Sequence, residues 1–200
     1  MSLMGHAQSA ADANLGLGWI YYGLARALRP RLAVVIGSWR GFVPLILARA
    51  LADNEQPGEV LFIDPSLVDD FWRSSSRVAA HFARFGLANI RHECLTTQEF
   101  VASPAYGELG SEVGLLFIDG YHSSEQVKFD YEAFRSKLAP DALVLFHDTR
   151  RDRRSRIYGQ GREYEQRVHS FVESLRARPE LEVLNLVAGD GITLMRHRRA

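Results

Sequence analysis

Two short segments carry the groups that could do chemistry. Ile118-Asp119-Gly120-Tyr121-His122 and Phe146-His147-Asp148-Thr149 each close an apolar run. If those runs are neighbouring parallel strands, their carboxyl ends lie on one sheet edge, where ligands of doubly wound folds bind. Asp119, His147 and Asp148 would then meet, and His122 would overhang them. Carboxylates and imidazoles held together can move protons near neutrality. Each segment alone has an ordinary reading: Asp119-Gly120 as a turn with a capping acid, His147-Asp148 as a hydrogen-bonded pair at a strand end. Both on adjacent strands favour a functional site.

A second pair of segments suggests a cofactor. Leu32 to Ile36 is apolar and breaks at Gly37-Ser38-Trp39-Arg40-Gly41 before a helical stretch. Such a strand–glycine–helix passage brings backbone N–H groups up to a ligand. Val60 to Ile63 then ends in Asp64, an acid that can accept hydrogen bonds from two ribose hydroxyls. Together they point to a nucleotide-like cofactor. The dinucleotide fingerprint G-x-G-x-x-G is not met, because Trp39 and Phe42 stand at its second and third glycine positions. The ordinary reading is a tight strand-to-helix turn without a ligand.

These segments need a framework that holds them. Helical periodicity covers residues 15–28, 42–52, 68–85, 124–138 and 163–178, with a helical turn at 99–102. Strands are expected at 32–36, 60–63, 90–93, 113–118 and 142–146, a turn at Pro57-Gly58, and a loop over 149–161. Residues 181–187 and 192–196 flank Ala188-Gly189-Asp190-Gly191 as a β-hairpin. Strands alternating with helices make right-handed crossovers and a parallel sheet. The hairpin adds one antiparallel strand. The expected fold class is therefore α/β, a doubly wound, mostly parallel, Rossmann-like sheet with one antiparallel strand in a C-terminal hairpin. A single domain over 1–200 is expected, with 1–30 a helical lead-in and 31–200 the core.

Composition narrows the partners. The 24 basic and 24 acidic residues balance, so no global field draws the chain to nucleic acid or membrane. The single cysteine, Cys94, rules out an internal disulfide and a cysteine-based zinc site. No apolar run has membrane-spanning length and no signal-peptide pattern opens the chain, so a cytoplasmic location is expected. Arg150 to Arg156 is rich in arginine. It reads either as a solvated loop or as a clamp for an anionic substrate. The oligomeric state stays open, a homodimer among the choices.

The segment Ile118-Asp119-Gly120-Tyr121-His122-Ser123, followed by Val127-Lys128-Phe129-Asp130 and Leu145-Phe146-His147-Asp148-Thr149, resembles the DGxH…D…HD(T/S) pattern of the methyltransferase 24 family. That family consists of small class I S-adenosylmethionine (SAM) methyltransferases. The resemblance implies a SAM-dependent enzyme, O-methylating a small molecule. It implies that Gly37, Ser38 and Gly41 pass under the methionine part of SAM, that Asp64 binds the ribose and that Thr96 and Thr97 lie beside the adenine. Asp119 would also face the cofactor. Related metal-dependent enzymes imply Mg²⁺ or Mn²⁺ on Asp119, His147 and Asp148, and a general base at His122. Val35 departs from the pattern, since relatives commonly place an acid there for the SAM amino group. A non-catalytic SAM- or nucleotide-binding protein and a Rossmann oxidoreductase are the alternative readings.

Overall fold

The computed structural model describes residues 15–56 and 58–198. Pro57 of the expected turn, and residues 1–14 of the expected lead-in, lie outside them. The chain runs α1 (Gly18–Leu28), β1 (Leu32–Ile36), α2 (Phe42–Ala52), β2 (Glu59–Ile63), α3 (Ser75–Ala83), β3 (Ile90–Glu93), α4 (Thr97–Val101), α5 (Pro104–Glu108), β4 (Val113–Ile118), α6 (Ser124–Arg135) and β5 (Leu138–His147). It continues through β6 (Arg153–Ser155), β7 (Tyr164–Gln166), α7 (Val168–Arg176), β8 (Leu181–Leu186) and β9 (Ile192–His197).

Seven strands form one sheet in the order β3-β2-β1-β4-β5-β9-β8. The first five are parallel, and β9 runs antiparallel to both β5 and β8. This is the mostly parallel, doubly wound sheet expected, with its antiparallel strand in the C-terminal hairpin. Both faces are covered, which is why the central strands read as unbroken apolar runs rather than alternating ones. Ala33, Val35, Phe62 and Phe117 pack under α1, α2 and α3. Val34, Ile36, Ile118 and Phe146 pack under α6 and α7 on the other face.

Register does the positioning. Ile36 stands opposite Ile63 and Ile118, and Ile118 opposite Phe146. The next residue of each strand therefore joins one row at the carboxyl edge: Asp64, Gly37, Asp119, His147. The Gly37 amide donates to the Ile63 carbonyl at 2.8 Å, and the Asp119 amide to the Ile36 carbonyl at 2.8 Å. The strand order reverses between β1 and β4, so the row spans the topological switch point.

Three expectations are corrected. The helix expected over 68–85 is confined to Ser75–Ala83. Residues 66–72 instead form a knot in which the Ser66 hydroxyl accepts from the Trp72 amide and Asp69 accepts from the Phe71 amide. The helical spacing of Phe71 reflects packing of a loop. The stretch 149–161 is not loop throughout, and 163–178 is not helix throughout. Arg153–Ser155 pairs with Tyr164–Gln166 as a second hairpin, and α7 starts at Val168. No apolar alternation marks these strands, because Arg153 and Gln166 form their inward pair.

Gly37 tests this geometry. Its φ is +71°, and a Cβ there would overlap the Asp119 carbonyl oxygen and lie 2.5 Å from Gly120 Cα. Both obstacles are backbone. Gly86 has a similar φ of +69° with nothing within 4 Å. Gly86→Ala should cost only the conformational penalty, about 1–2 kcal/mol. Gly37→Ala should add an overpacking cost of about 1–3 kcal/mol. Urea unfolding of both variants checks this, and equal losses would mean that β1 and the turn after β4 do not approach closely.

Candidate active site

The glycine turn and Asp64 build one wall. The Ser38 amide donates to Asp64 Oδ2 at 3.3 Å, and the Ser66 amide to Oδ1 at 2.8 Å. Ser38 Oγ accepts from the Val43 amide at 3.3 Å and so satisfies a free donor at the start of α2. Gly41 takes the left-handed conformation at that helix's N-cap, φ +74°. Asp64 is buried. Burial raises its carboxyl above the usual range, and the two backbone donors only partly offset this. A carboxylate has about four lone-pair sites, so capacity remains for ligand hydroxyls.

Beside it, Thr96 caps α4 in a reciprocal box with Glu99: its Oγ1 accepts from the Glu99 amide at 3.2 Å, and Glu99 accepts from the Thr96 amide at 2.7 Å. Thr97 follows, buried, and both threonines line the cavity described below. Asp130 from α6 is also buried there. Gln126 donates to its Oδ1 at 2.7 Å, and burial pushes its carboxyl up to about 6.

Asp119, His122, His147 and Asp148 come together as the two sequence segments suggested. His147 Nδ1 lies 2.9 Å from Asp119 Oδ1 and 3.4 Å from Asp148 Oδ1. His122 Nδ1 lies 3.0 Å from Asp148 Oδ2, and its Nε2 3.3 Å from Asp119 Oδ1. Asp148 adopts φ +59°, unusual for a non-glycine residue, which turns its carboxylate back over the cluster. Burial alone would lower the His122 imidazole, but the adjoining Asp119 and Asp148 carboxylates push it up to about 9. His147 is raised for the same reasons, again against burial. Asp119 is pushed up by burial and pulled well below the carboxylate range by the two imidazoles.

The cluster has two members that sequence reading did not assign to it. Arg153, from the second hairpin, reaches Asp148 Oδ2 at 2.7 Å, Asp190 Oδ1 at 3.0 Å and Gln166 Oε1 at 2.6 Å. This central arginine of the Arg150–Arg156 run is therefore directed inward and is not a free clamp for an anion. Tyr21 of α1 lies fully buried beneath, its ring edge-on to Phe117. Burial first, then the charges of Asp119 and Asp148, hold its phenol far above its ordinary value. No local signal could have found either residue: Tyr21 sits at a core position of a helix, and Arg153 is one of several arginines in its run.

The side chains proposed from sequence to hold a metal point at one another, and Arg153 already takes one Asp148 oxygen. Among the described residues, no three His, Cys, Asp or Glu side chains are placed to hold a metal ion. The arrangement fits proton sharing, and no step below runs through a metal.

Asp64, Asp119, His122, His147, Asp148 and Arg153 all line one cavity of about 710 Å³. Much of its remaining wall is apolar, with Trp39, Phe71, Tyr121, Tyr158 and Tyr164 among its lining, and Arg40 and Arg84 also border it. This is the usual constitution of a small-molecule site, an apolar pocket with a few convergent polar groups. The residues fit an adenosyl ligand: a buried acid, a turn free of side chains at Gly37, and open space between them. Among the described residues, no helix is long and apolar enough to cross a membrane.

Solved structures share this architecture. A methyltransferase from Geobacter sulfurreducens superposes with a TM-score of 0.63 at 21% identity, over 90% of this chain and 78% of that one. A Corynebacterium glutamicum protein gives 0.67 at 19%, over 97% and 83%. The O-methyltransferase TomG of Streptomyces achromogenes, involved in tomaymycin synthesis and solved with SAM, gives 0.63 at 22%, over 96% and 82%. At these identities the likeness is one of fold. The uncharacterized protein y4gI of Sinorhizobium fredii is 33% identical over 141 residues, 66% of this chain, and the chain spans only 15% of that protein's length. The family model of the methyltransferase domain numbered 24 matches residues 34–149, more than half of the chain. With its glycine turn, the acid at the end of β2 and the paired DGxH and HDT strand ends, the chain belongs to this methyltransferase family and has the class I SAM-dependent fold.

Proposed function

We propose that the chain is a SAM-dependent O-methyltransferase acting on the hydroxyl of a small molecule. One observation carries this reading: the strand register sets the cofactor-side groups, Gly37 and Asp64, in one row with the proton-sharing groups, Asp119 and His147, and His122 overhangs that row. SAM, when bound, supplies an electrophilic sulfonium methyl. Asp64 accepts from the ribose hydroxyls, Gly37, Ser38 and Gly41 pass beneath the methionine portion, and Thr96 and Thr97 border the adenine. Val35 is fully buried in the core below, so the amino group must be met by other acceptors, with Asp119, beside Gly37 in the row, the candidate. Alignment of hydroxyl and methyl donor is the larger part of the protein's work. His122 takes the hydroxyl proton as the oxygen becomes nucleophilic.

Cofactor identity is tested by calorimetry with S-adenosylhomocysteine (SAH) and NAD. SAH should bind and NAD should not. Asp64→Ala removes charge-assisted hydrogen bonds of about 1.5–3 kcal/mol each, so SAH affinity should fall by about tenfold or more. Binding of NAD in place of SAH would favour the oxidoreductase reading. SAH binding without turnover of any hydroxyl acceptor would favour a non-catalytic binding protein. An unaltered affinity in Asp64→Ala would remove the ribose assignment.

The base has its own signature in pH. A His122 raised to about 9 is an imidazolium at neutrality, and it must lose that proton before it can accept another. The kcat/KM value follows the free enzyme's ionisation, so it should climb about tenfold per pH unit from 7 and level off near 9. His122→Ala should reduce turnover by about two to four orders of magnitude and abolish this limb. SAH affinity should hold, because the base serves the transition state. A profile flat from pH 6 to 9, or a variant that loses SAH instead, would dismiss His122 as the base.

A further inference from the structure

Three tyrosines over the cavity pack against one another. Tyr121 and Tyr164 lie face to face, with centroids 4.2 Å apart and 17° between planes. Tyr158 lies 5.5 Å from Tyr121 at 27°, and 5.6 Å from Tyr164 at 39°. Tyr121 stands on the turn after β4, directly before His122. Tyr158 and Tyr164 come from the β6–β7 hairpin. All three line the cavity, and Tyr121 is 37% exposed. Their near-parallel rings give the cavity a flat aromatic surface beside His122.

Other aromatic rings line the same space. Trp39 and Phe71 line the same cavity, and the Arg40 guanidinium lies over both, 4.8 and 4.7 Å from their centroids. That arginine is itself paired with Asp69 at 2.5 Å. Burial holds the Tyr158 and Tyr164 phenols above their ordinary value, so both remain neutral. With Arg153 bound to Asp148, Asp190 and Gln166, the hairpin's inward surface near His122 is ring rather than charge.

We infer that the methyl acceptor is a planar phenol, its ring stacked on the Tyr121–Tyr158–Tyr164 face with one ring hydroxyl directed at His122. The inference rests on the O-methyltransferase reading above and names its substrate class. A sugar or other polyol entering this space would strip water from many hydroxyls and find few partners, at a cost for each unpaired group. A phenol desolvates one or two hydroxyls and gains aromatic contact of about 0.5–1.5 kcal/mol per ring. The phenolic oxygen forms the O–CH₃ bond as the donor's S–CH₃ bond breaks, with the electron pair staying on sulfur. The oxygen's proton passes to His122. The products are an aryl methyl ether and SAH.

The test is calorimetry on the full chain saturated with SAH, titrated with 4-nitrocatechol and, separately, with methyl α-glucoside. The catechol should bind and the glucoside should not at equal concentration. Tyr158→Leu and Tyr164→Leu should each weaken the catechol by about two- to tenfold. Tyr158→Phe and Tyr164→Phe, which keep the rings, should retain its affinity. SAH affinity, measured first in every variant, reports that the fold is intact. Failure of the wild type to bind SAH would overturn the methyltransferase reading itself. Normal SAH binding with a preference for the glucoside, or with catechol affinity indifferent to the leucine changes, would overturn the phenol assignment alone.

Discussion

The Asp119 amide donates to the Ile36 carbonyl at 2.8 Å, where β1 ends against β4. This bond is possible because Gly37 has no side chain. Any Cβ there would collide with the Asp119–Gly120 backbone. The close approach does two things together. It fixes the β1–β4 register, and with it the row of Asp64, Gly37, Asp119 and His147. It also opens a floor of bare backbone between Asp64 and the Asp119–His122–His147–Asp148 cluster. A cofactor that must lie flat across strand ends needs such a floor, and here covalent geometry supplies it rather than a recognition contact.

The cluster beyond that floor places two carboxylates, two imidazoles and a guanidinium largely out of water. Desolvation on this scale is costly unless each charge finds a partner. Here Asp119 faces two imidazoles and Asp148 faces both imidazoles and the Arg153 guanidinium, and the imidazoles gain protons from the same arrangement that lowers Asp119. Near neutrality the partners therefore sustain one another, and removal of any one leaves a buried charge exposed to that cost. The left-handed backbone at Asp148 is the local strain that this pairing maintains.

The sheet was legible in the sequence because burial on both faces forces continuous apolar runs, and Val113–Ile118 and Leu32–Ile36 have no other use. The clustering of Asp119, His122, His147 and Asp148 was legible because it follows from adjacency of two strand ends. What escaped was structure held by polar or aromatic side chains. Phe71 stands at helical spacing to Val78 and Phe82, yet Ser66 and Asp69 tie the segment 66–72 into a loop. The β6–β7 hairpin sets Arg153-Arg154-Ser155 against Tyr164-Glu165-Gln166, a pattern with no hydrophobic period. Their pairing depends on partners far away in sequence, Asp148 and Asp190, which no local window contains.

That dependence ties the roof of the cavity to its chemistry. Arg153 joins the hairpin at Gln166, the β8–β9 turn at Asp190 and the proton-sharing cluster at Asp148. On the other side, the His122 carbonyl accepts from the Arg167 amide at 2.8 Å, where β7 gives way to α7. The hairpin is thus anchored at both ends to residues that flank or form the proton cluster. Tyr158 and Tyr164 ride between these anchors, so the face they present is held in register with His122. A hairpin fastened only to the sheet edge would leave the distance from that face to the imidazole free to vary. Misplacement of about 1 Å is enough to forfeit much of the benefit of alignment. In this protein, one arginine and one backbone amide bring the apolar wall and the His122 imidazole into a single unit.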